Sequence, residues 1–122
     1  MLKEDYIMRS IKNKIKFLAN ILFGKDIINY EYVNKDESNE SDILYKKLIV
    51  LISNNNINDA ESLLFEEFDP LDKNKIAIAL DFYNSINNLE DEVLEKNNFT
   101  RKEIKEGIDD IYELLGMDIY KL

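Results

Sequence analysis

The sequence predicts an all-α fold of five to six helices. Three observations carry that reading. Apolar residues recur at spacings of three and four along most of the chain, the period of a helix with one face buried. Helix-start signals stand just ahead of those periodic runs, and glycine or proline stands just behind several of them. One proline and three glycines (Gly24, Gly107 and Gly116) leave too little turn chemistry for an all-β chain. At 122 residues, 45% of them apolar, the chain has the size and composition of one ordinary domain with its own core.

The first helix is expected from about Asp5 to Phe23. Ile7, Ile11, Ile15, Leu18 and Leu22 lie at spacings of four, four, three and four and share one stripe, which Met8 and Ala19 widen. Gly24 follows the last periodic residue and suits the left-handed turn that ends a helix. Residues 26–33, DIINYEYV, are β-branched and aromatic, and read as a short extended segment across the body. Residues 34–41, NKDESNES, hold no apolar side chain and read as a linker. Ser41 or Asp42 then caps a second helix that runs through Ser53. Ile43, Leu44, Leu48, Ile49, Val50, Leu51 and Ile52 cover nearly its whole circumference, which predicts the central buried helix.

Three asparagines, Asn54 to Asn56, make the next turn. Asn58 with Glu61 three residues on has capping-box spacing for a third helix, roughly Asp59–Phe68. Asp69-Pro70 stops it, because the residue before proline is steered away from helical angles. A fourth helix, about Lys73–Asn87, puts Ile76, Ala79, Leu80, Tyr83 and Ile86 on one face. The stretch NLEDEVLEKNN holds one short helical piece. Thr100 and Glu103 form another capping box, Ile104, Ile108, Ile111 and Leu115 make the last stripe, and Gly116 ends it. The layout is a basic amphipathic helix (1–25), an extended segment and linker (26–41) and a helical-hairpin body (42–122), within one domain. The second and third helices resemble a tetratricopeptide hairpin in an antiparallel array, although no second copy recurs at a fixed period.

The segments Asp5-Tyr6-Ile7-Met8-Arg9, Ile21-Leu22-Phe23-Gly24-Lys25, Ala60-Glu61-Ser62-Leu63-Leu64-Phe65 and Phe99-Thr100-Arg101-Lys102-Glu103-Ile104 resemble a family of small helical Firmicutes proteins with no assigned activity. The D-Y-I-M-R opening is the most specific part of the likeness. What the resemblance implies is a helical fold and a Firmicutes host, with no mechanism attached. Abundant isoleucine, asparagine and lysine, with arginine only at Arg9 and Arg101, fit an AT-rich bacterial genome.

The absences narrow the function classes. The chain has no cysteine and no histidine. It therefore has no disulfide framework, no thiolate nucleophile, and neither the commonest general base nor the commonest metal ligand. No apolar run approaches the roughly 18 residues of a membrane span. Lys12, Lys14 and Lys16 interrupt any secretory core, and no small-residue cleavage site follows. The cytoplasm is the expected compartment.

The first 25 residues carry a net +4 and the other 97 a net −13, against −9 for the whole chain. Arg9, Lys12 and Lys16 sit together beside the apolar stripe, with Lys14 on its other shoulder. The helix would pack on its own acidic body and relieve that body's self-repulsion, or pair with a second copy through Ile7, Arg9, Ile11, Ile15, Leu18 and Leu22. Docking on an anionic membrane, the third use of such a helix, is opposed by the charge of the body. Three clustered cations without interleaved aromatics make too thin a footprint for nucleic acid.

Candidate chemistry is sparse. The acidic pairs Glu66-Glu67, Asp91-Glu92 and Asp109-Asp110 point about 100° apart on a helix and do not converge. Asp69, Asp72 and Asn74 fail as a calcium loop, since Ile76, Ala77 and Tyr83 occupy the fifth, sixth and twelfth positions. No phosphate loop or dinucleotide fingerprint is present. Glu67 lies inside an apolar stripe beside Ala60, Leu63 and Leu64, a place for a desolvated carboxylate or one paired with a cation such as Arg9. Tyr30 and Tyr32 point to one side of an extended segment and serve as an interaction rim or as cover for the core. An exposed Asp5–Arg9 pair would contribute only a few tenths of a kcal/mol. The expectation is a non-catalytic cytoplasmic module without cofactor or metal, acting by protein–protein contact: the hairpin helices present a surface or shallow groove, and the first helix provides self-association or a docking element. The alternative is a membrane-surface or small-ligand regulator that uses the same helix.

Overall fold

A computed structural model describes residues 2–31 and 39–120, with the side chains of 2–5 and 120 excepted. Among the described residues there are six α-helices and no strand: α1 (Leu2–Phe23), α2 (Glu40–Ser53), α3 (Ile57–Glu67), α4 (Lys73–Asn87), α5 (Asp91–Lys96) and α6 (Arg101–Leu114), followed by a 3-10 turn (Asp118–Tyr120). The all-α class read from the sequence is the class observed. Most of the linker, and Tyr32 with it, lies outside the described residues.

The centre of the molecule is α4, not α2. Ten of its fifteen residues are buried, among them Ile76, Ile78, Ala79, Leu80, Phe82, Tyr83 and Ile86. It packs against α1, α2 and α6. Helix α2, expected at the centre because its wheel is apolar almost all round, buries only Ser41, Asp42, Leu44 and Leu48. Ile43, Ile49 and Val50 are 44%, 43% and 56% exposed. The reason is that polar residues in α4 disguise it. Lys75, Asp81 and Asn87 are each buried, and each is hydrogen-bonded. Lys75 donates from Nζ to Glu40 Oε1 and to the Glu67 carbonyl, both at 2.9 Å. Asp81 accepts from the Tyr30 backbone N–H at 2.6 Å, the Tyr45 hydroxyl at 3.1 Å and the Ser85 hydroxyl at 3.1 Å. Asn87 donates to the Met8 carbonyl and accepts from Arg101. A buried polar group is tolerated once its partners are inside with it.

Helix α1 lies on α4 and α6. Ile11 and Leu18 have no exposed surface, and Ile15 and Ala19 are buried with them. Two bonds fasten the α1–α6 contact: Lys14 Nζ reaches Asp109 at 3.1 Å, and the Tyr112 hydroxyl donates to the Lys14 carbonyl at 2.7 Å. At the other end Lys73 donates to the Leu22 carbonyl at 2.8 Å, and Gly24 closes the helix at φ +67°. The segment after it lays Ile28 and Tyr30 into the core.

The helix starts are partly those expected. Thr100 and Glu103 form the reciprocal capping box of α6. The second box is absent. Helix α3 begins at Ile57, whose N–H donates to the Asn97 side chain at 3.0 Å, while Asn58 donates to the Asn97 carbonyl at 3.1 Å. A side chain from the end of α5 thus does the capping, a partner that local spacing cannot reveal. Helix α2 likewise starts two residues early, because Asn39 accepts from the Asp42 N–H at 2.9 Å.

Candidate interaction surface

Helices α2 and α3 fold back on each other across Asn54–Asn56. The hairpin closes at its open end where Glu40, at the start of α2, and Glu67, at the end of α3, both reach Lys75 at 2.9 and 3.7 Å. Leu44 and Leu48 of α2 and Ala60 and Leu64 of α3 point inward. What remains outside is unusual for a surface. Along α2, Ile43, Lys47 and Val50 follow one another at helical spacing on the solvent side. Between them and α3 runs an apolar groove with two concavities. One, of about 320 Å³, is lined by Glu40, Ile43, Leu44, Lys47, Leu63 and Glu67. The other, of about 390 Å³, is lined by Lys46, Lys47, Val50, Leu51 and Leu63. Lys47 and Leu63 belong to both, so the groove is continuous. Its α2 edge carries Lys46 and Lys47, and its α3 edge carries Glu67, with the exposed Glu66 next to it on the outer side of α3.

The residues singled out from the sequence lie elsewhere. The stripe Ile11, Ile15 and Leu18 is buried in the chain's own core, with Ile7 and Leu22 packed at its margin. It is therefore not a face offered to another copy: α4 and α6 already cover it. Tyr30 is 7% exposed, its hydroxyl donating to Asp42 Oδ1 at 2.5 Å and its ring 4.9 Å from that of Tyr45. It covers the core and forms no rim. Glu67 is not desolvated either, since its side chain is 38% exposed and its cation is Lys75 rather than Arg9. It sits in the last turn of α3, where a long stem reaches water.

Arg9 is exposed and lines a cleft of about 330 Å³ between α1 and α6, together with Tyr6, Asn13, Phe17 and Tyr112. Phe17 stacks on Tyr112 at 6.3 Å, and burial with the Asp109 charge pushes the Tyr112 phenol up to about 12. Of the basic side chains of α1, Lys14 is tied to Asp109 and lies 5.5 Å from the Tyr112 ring centroid, whereas Arg9, Lys12 and Lys16 remain at the surface.

A carboxylate that burial does perturb is Glu61, which the sequence places in a capping box. It accepts from the Tyr83 hydroxyl at 2.6 Å. Burial raises its pKa; the Tyr83 bond opposes that rise, and the nearby charges of Glu103, Asp110 and Glu106 add to it. Burial and the Glu61 charge raise the Tyr83 phenol as well. The pair packs against Gly107 of α6, and four carboxylates line the shallow cleft beside it. Among the described residues no group of acids converges as metal ligands would, and no helix is long and apolar enough to cross a membrane. A surface on the hairpin helices is part of the sequence expectation, but the exposed strip Ile43, Lys47 and Val50 is not, because an apolar circumference reads as burial by default.

A family model described as a family of unknown function (DUF6483) matches residues 1–116, so the chain belongs to that family. No curated protein and no solved structure matches it.

Proposed function

We propose that this member of the DUF6483 family is a non-catalytic cytoplasmic module that works by holding another protein on the outer face of its α2–α3 hairpin. One observation carries the reading: the most apolar helix of the chain lies at the surface, with Ile43 and Val50 each more than two-fifths exposed along a continuous apolar groove. Isolated surface hydrophobes are ordinary, but a contiguous apolar strip rimmed by charge marks a contact site. The first helix has a different part in this reading. It belongs to the body, and Lys14 on Asp109 relieves some of the acidic excess of that body. The lack of histidine and cysteine favours a binding role over chemistry.

The test is site-directed photo-cross-linking in the producing cells. A photoreactive residue at position 43 or 50 should give a protein adduct that the same residue at position 92 or 102, on exposed surface elsewhere, does not. Equal yields at all four positions would overturn the proposal. A second reading rests on the α1–α6 cleft, where Arg9 and three aromatic rings would suit a small anionic aromatic ligand. A thermal shift on ligand screening that Arg9→Ala abolishes would favour it.

A further inference from the structure

We infer that the protein held on the α2–α3 face is a second copy of this chain, packed about a two-fold axis that runs along the groove. The inference rests on the contact reading above and names its partner.

The argument is one of sign. An isologous interface joins one patch to itself, so the patch must carry its own complement. This one does. Its α2 edge is basic at Lys46 and Lys47, with Glu40 at the far end of that edge already paired to Lys75; its α3 edge is acidic at Glu66 and Glu67, and Leu51, Leu63, Ile43 and Val50 lie between or beside them. A partner of uniform charge would suit one edge and be repelled by the other. Rotation about an axis parallel to the helices lays α2 of each copy over α3 of its mate. It keeps every residue at its own level along the axis. Lys47 and Glu67 line the same concavity within one hairpin, so their long side chains reach one stretch of the groove. Across the two-fold, Lys47 of one copy then meets the Glu66–Glu67 edge of the other, and Val50 and Ile43 close on Leu63 and Leu51. The product is four antiparallel helices with an apolar seam, a stable packing for amphipathic hairpins. The alternative, α2 against α2, would set Lys46 and Lys47 opposite their own copies. Charge therefore selects between the two arrangements.

The experiment is sedimentation equilibrium of the full chain at neutral pH with a charge swap. The wild type should be a reversible dimer. Lys47→Glu and Glu66→Lys should each weaken it by about tenfold or more, since symmetry places every change at both ends of the interface. The double variant Lys47→Glu/Glu66→Lys should return to within about threefold of wild type, because the pair is restored with its signs exchanged. Val50→Asp should abolish the dimer, and circular dichroism should show each variant still helical. A wild-type chain that stays monomeric up to about 200 µM would overturn the inference. So would a dimer indifferent to Lys47→Glu, or a double variant as weak as the two single changes combined. If the wild type is monomeric while cross-links at position 50 join a different protein, the second copy is wrong and the contact reading survives. If those cross-links are absent as well, both fall.

Discussion

Replacing Gly107 by alanine should destabilise the protein, although alanine is the better helix former. Gly107 lies in the middle of α6, where the residue exchange alone would stabilise by about 1 kcal/mol. A β-carbon there would stand 2.6 Å from Tyr83 Cζ and 2.7 Å from Glu61 Oε2, with the Tyr83 hydroxyl closer still. Tyr83 has no exposed surface and its ring meets Phe82 edge-on at 5.0 Å, so it has no room to withdraw. Forcing a methyl group into such a contact costs about 1–3 kcal/mol. Separating Tyr83 from Glu61 adds about 1.5–3 kcal/mol for a hydrogen bond to a charged group. Against the propensity gain the net loss is about 1.5–5 kcal/mol. Urea unfolding followed by circular dichroism measures it directly, and the melting temperature should fall by roughly 4 °C per kcal/mol. Tyr83→Phe in the same chain should recover part of the loss, since the hydroxyl goes but the ring carbon stays. A Gly107→Ala variant more stable than wild type would show propensity alone at work, and would refute the close packing of α4 on α6.

Other substitutions test other parts of the fold. Leu18→Asp puts a charge where no surface is exposed, and should cost more than about 4 kcal/mol or unfold the chain outright; a folded variant by circular dichroism would mean that α1 is peripheral. Tyr30→Phe removes the donor to the buried Asp42 and should cost about 1–3 kcal/mol in urea, while an unchanged midpoint would return Tyr30 to the surface. Glu61→Gln tests pH linkage. Because burial raises the Glu61 pKa, the folded chain keeps a proton that the unfolded chain releases above its ordinary 4.5, so this group's contribution to stability falls as pH rises through the folded value. Glutamine keeps an acceptor for Tyr83 and removes that slope. Urea midpoints should therefore shift toward the variant with rising pH, and parallel profiles would contradict it.

Local signals in the sequence located most helices and little of how they pack. The α6 capping box is contained within four residues, and it formed as read. Gly24 and Gly116 both adopt left-handed turns at helix ends, where glycine alone avoids a steric penalty. The α3 start is different, because its cap comes from Asn97, 40 residues downstream. The exchange of α2 for α4 at the centre has the same origin. Hydropathy counts Lys75, Asp81 and Asn87 as surface, and only the fold brings Glu40, Tyr30 and Arg101 to satisfy them. Of the candidate site residues, the α1 stripe was correctly seen as one apolar face, but its partner was set by α4 and α6 rather than by another chain. The apolar surplus of α2 was legible as well. Its position at the surface depends on α4 having taken the centre, which no property of α2 itself announces.

The measurement that tests the account most directly is gel filtration of fresh extract from the producing cells, comparing the wild-type chain with Val50→Asp. Val50 is more than half exposed, so the variant should fold as the wild type does. The account predicts that the wild type elutes in a larger assembly and Val50→Asp at the mass of the free chain, 14.4 kDa. Co-elution of the two would contradict it, and the outer face of the α2–α3 hairpin would then hold no protein.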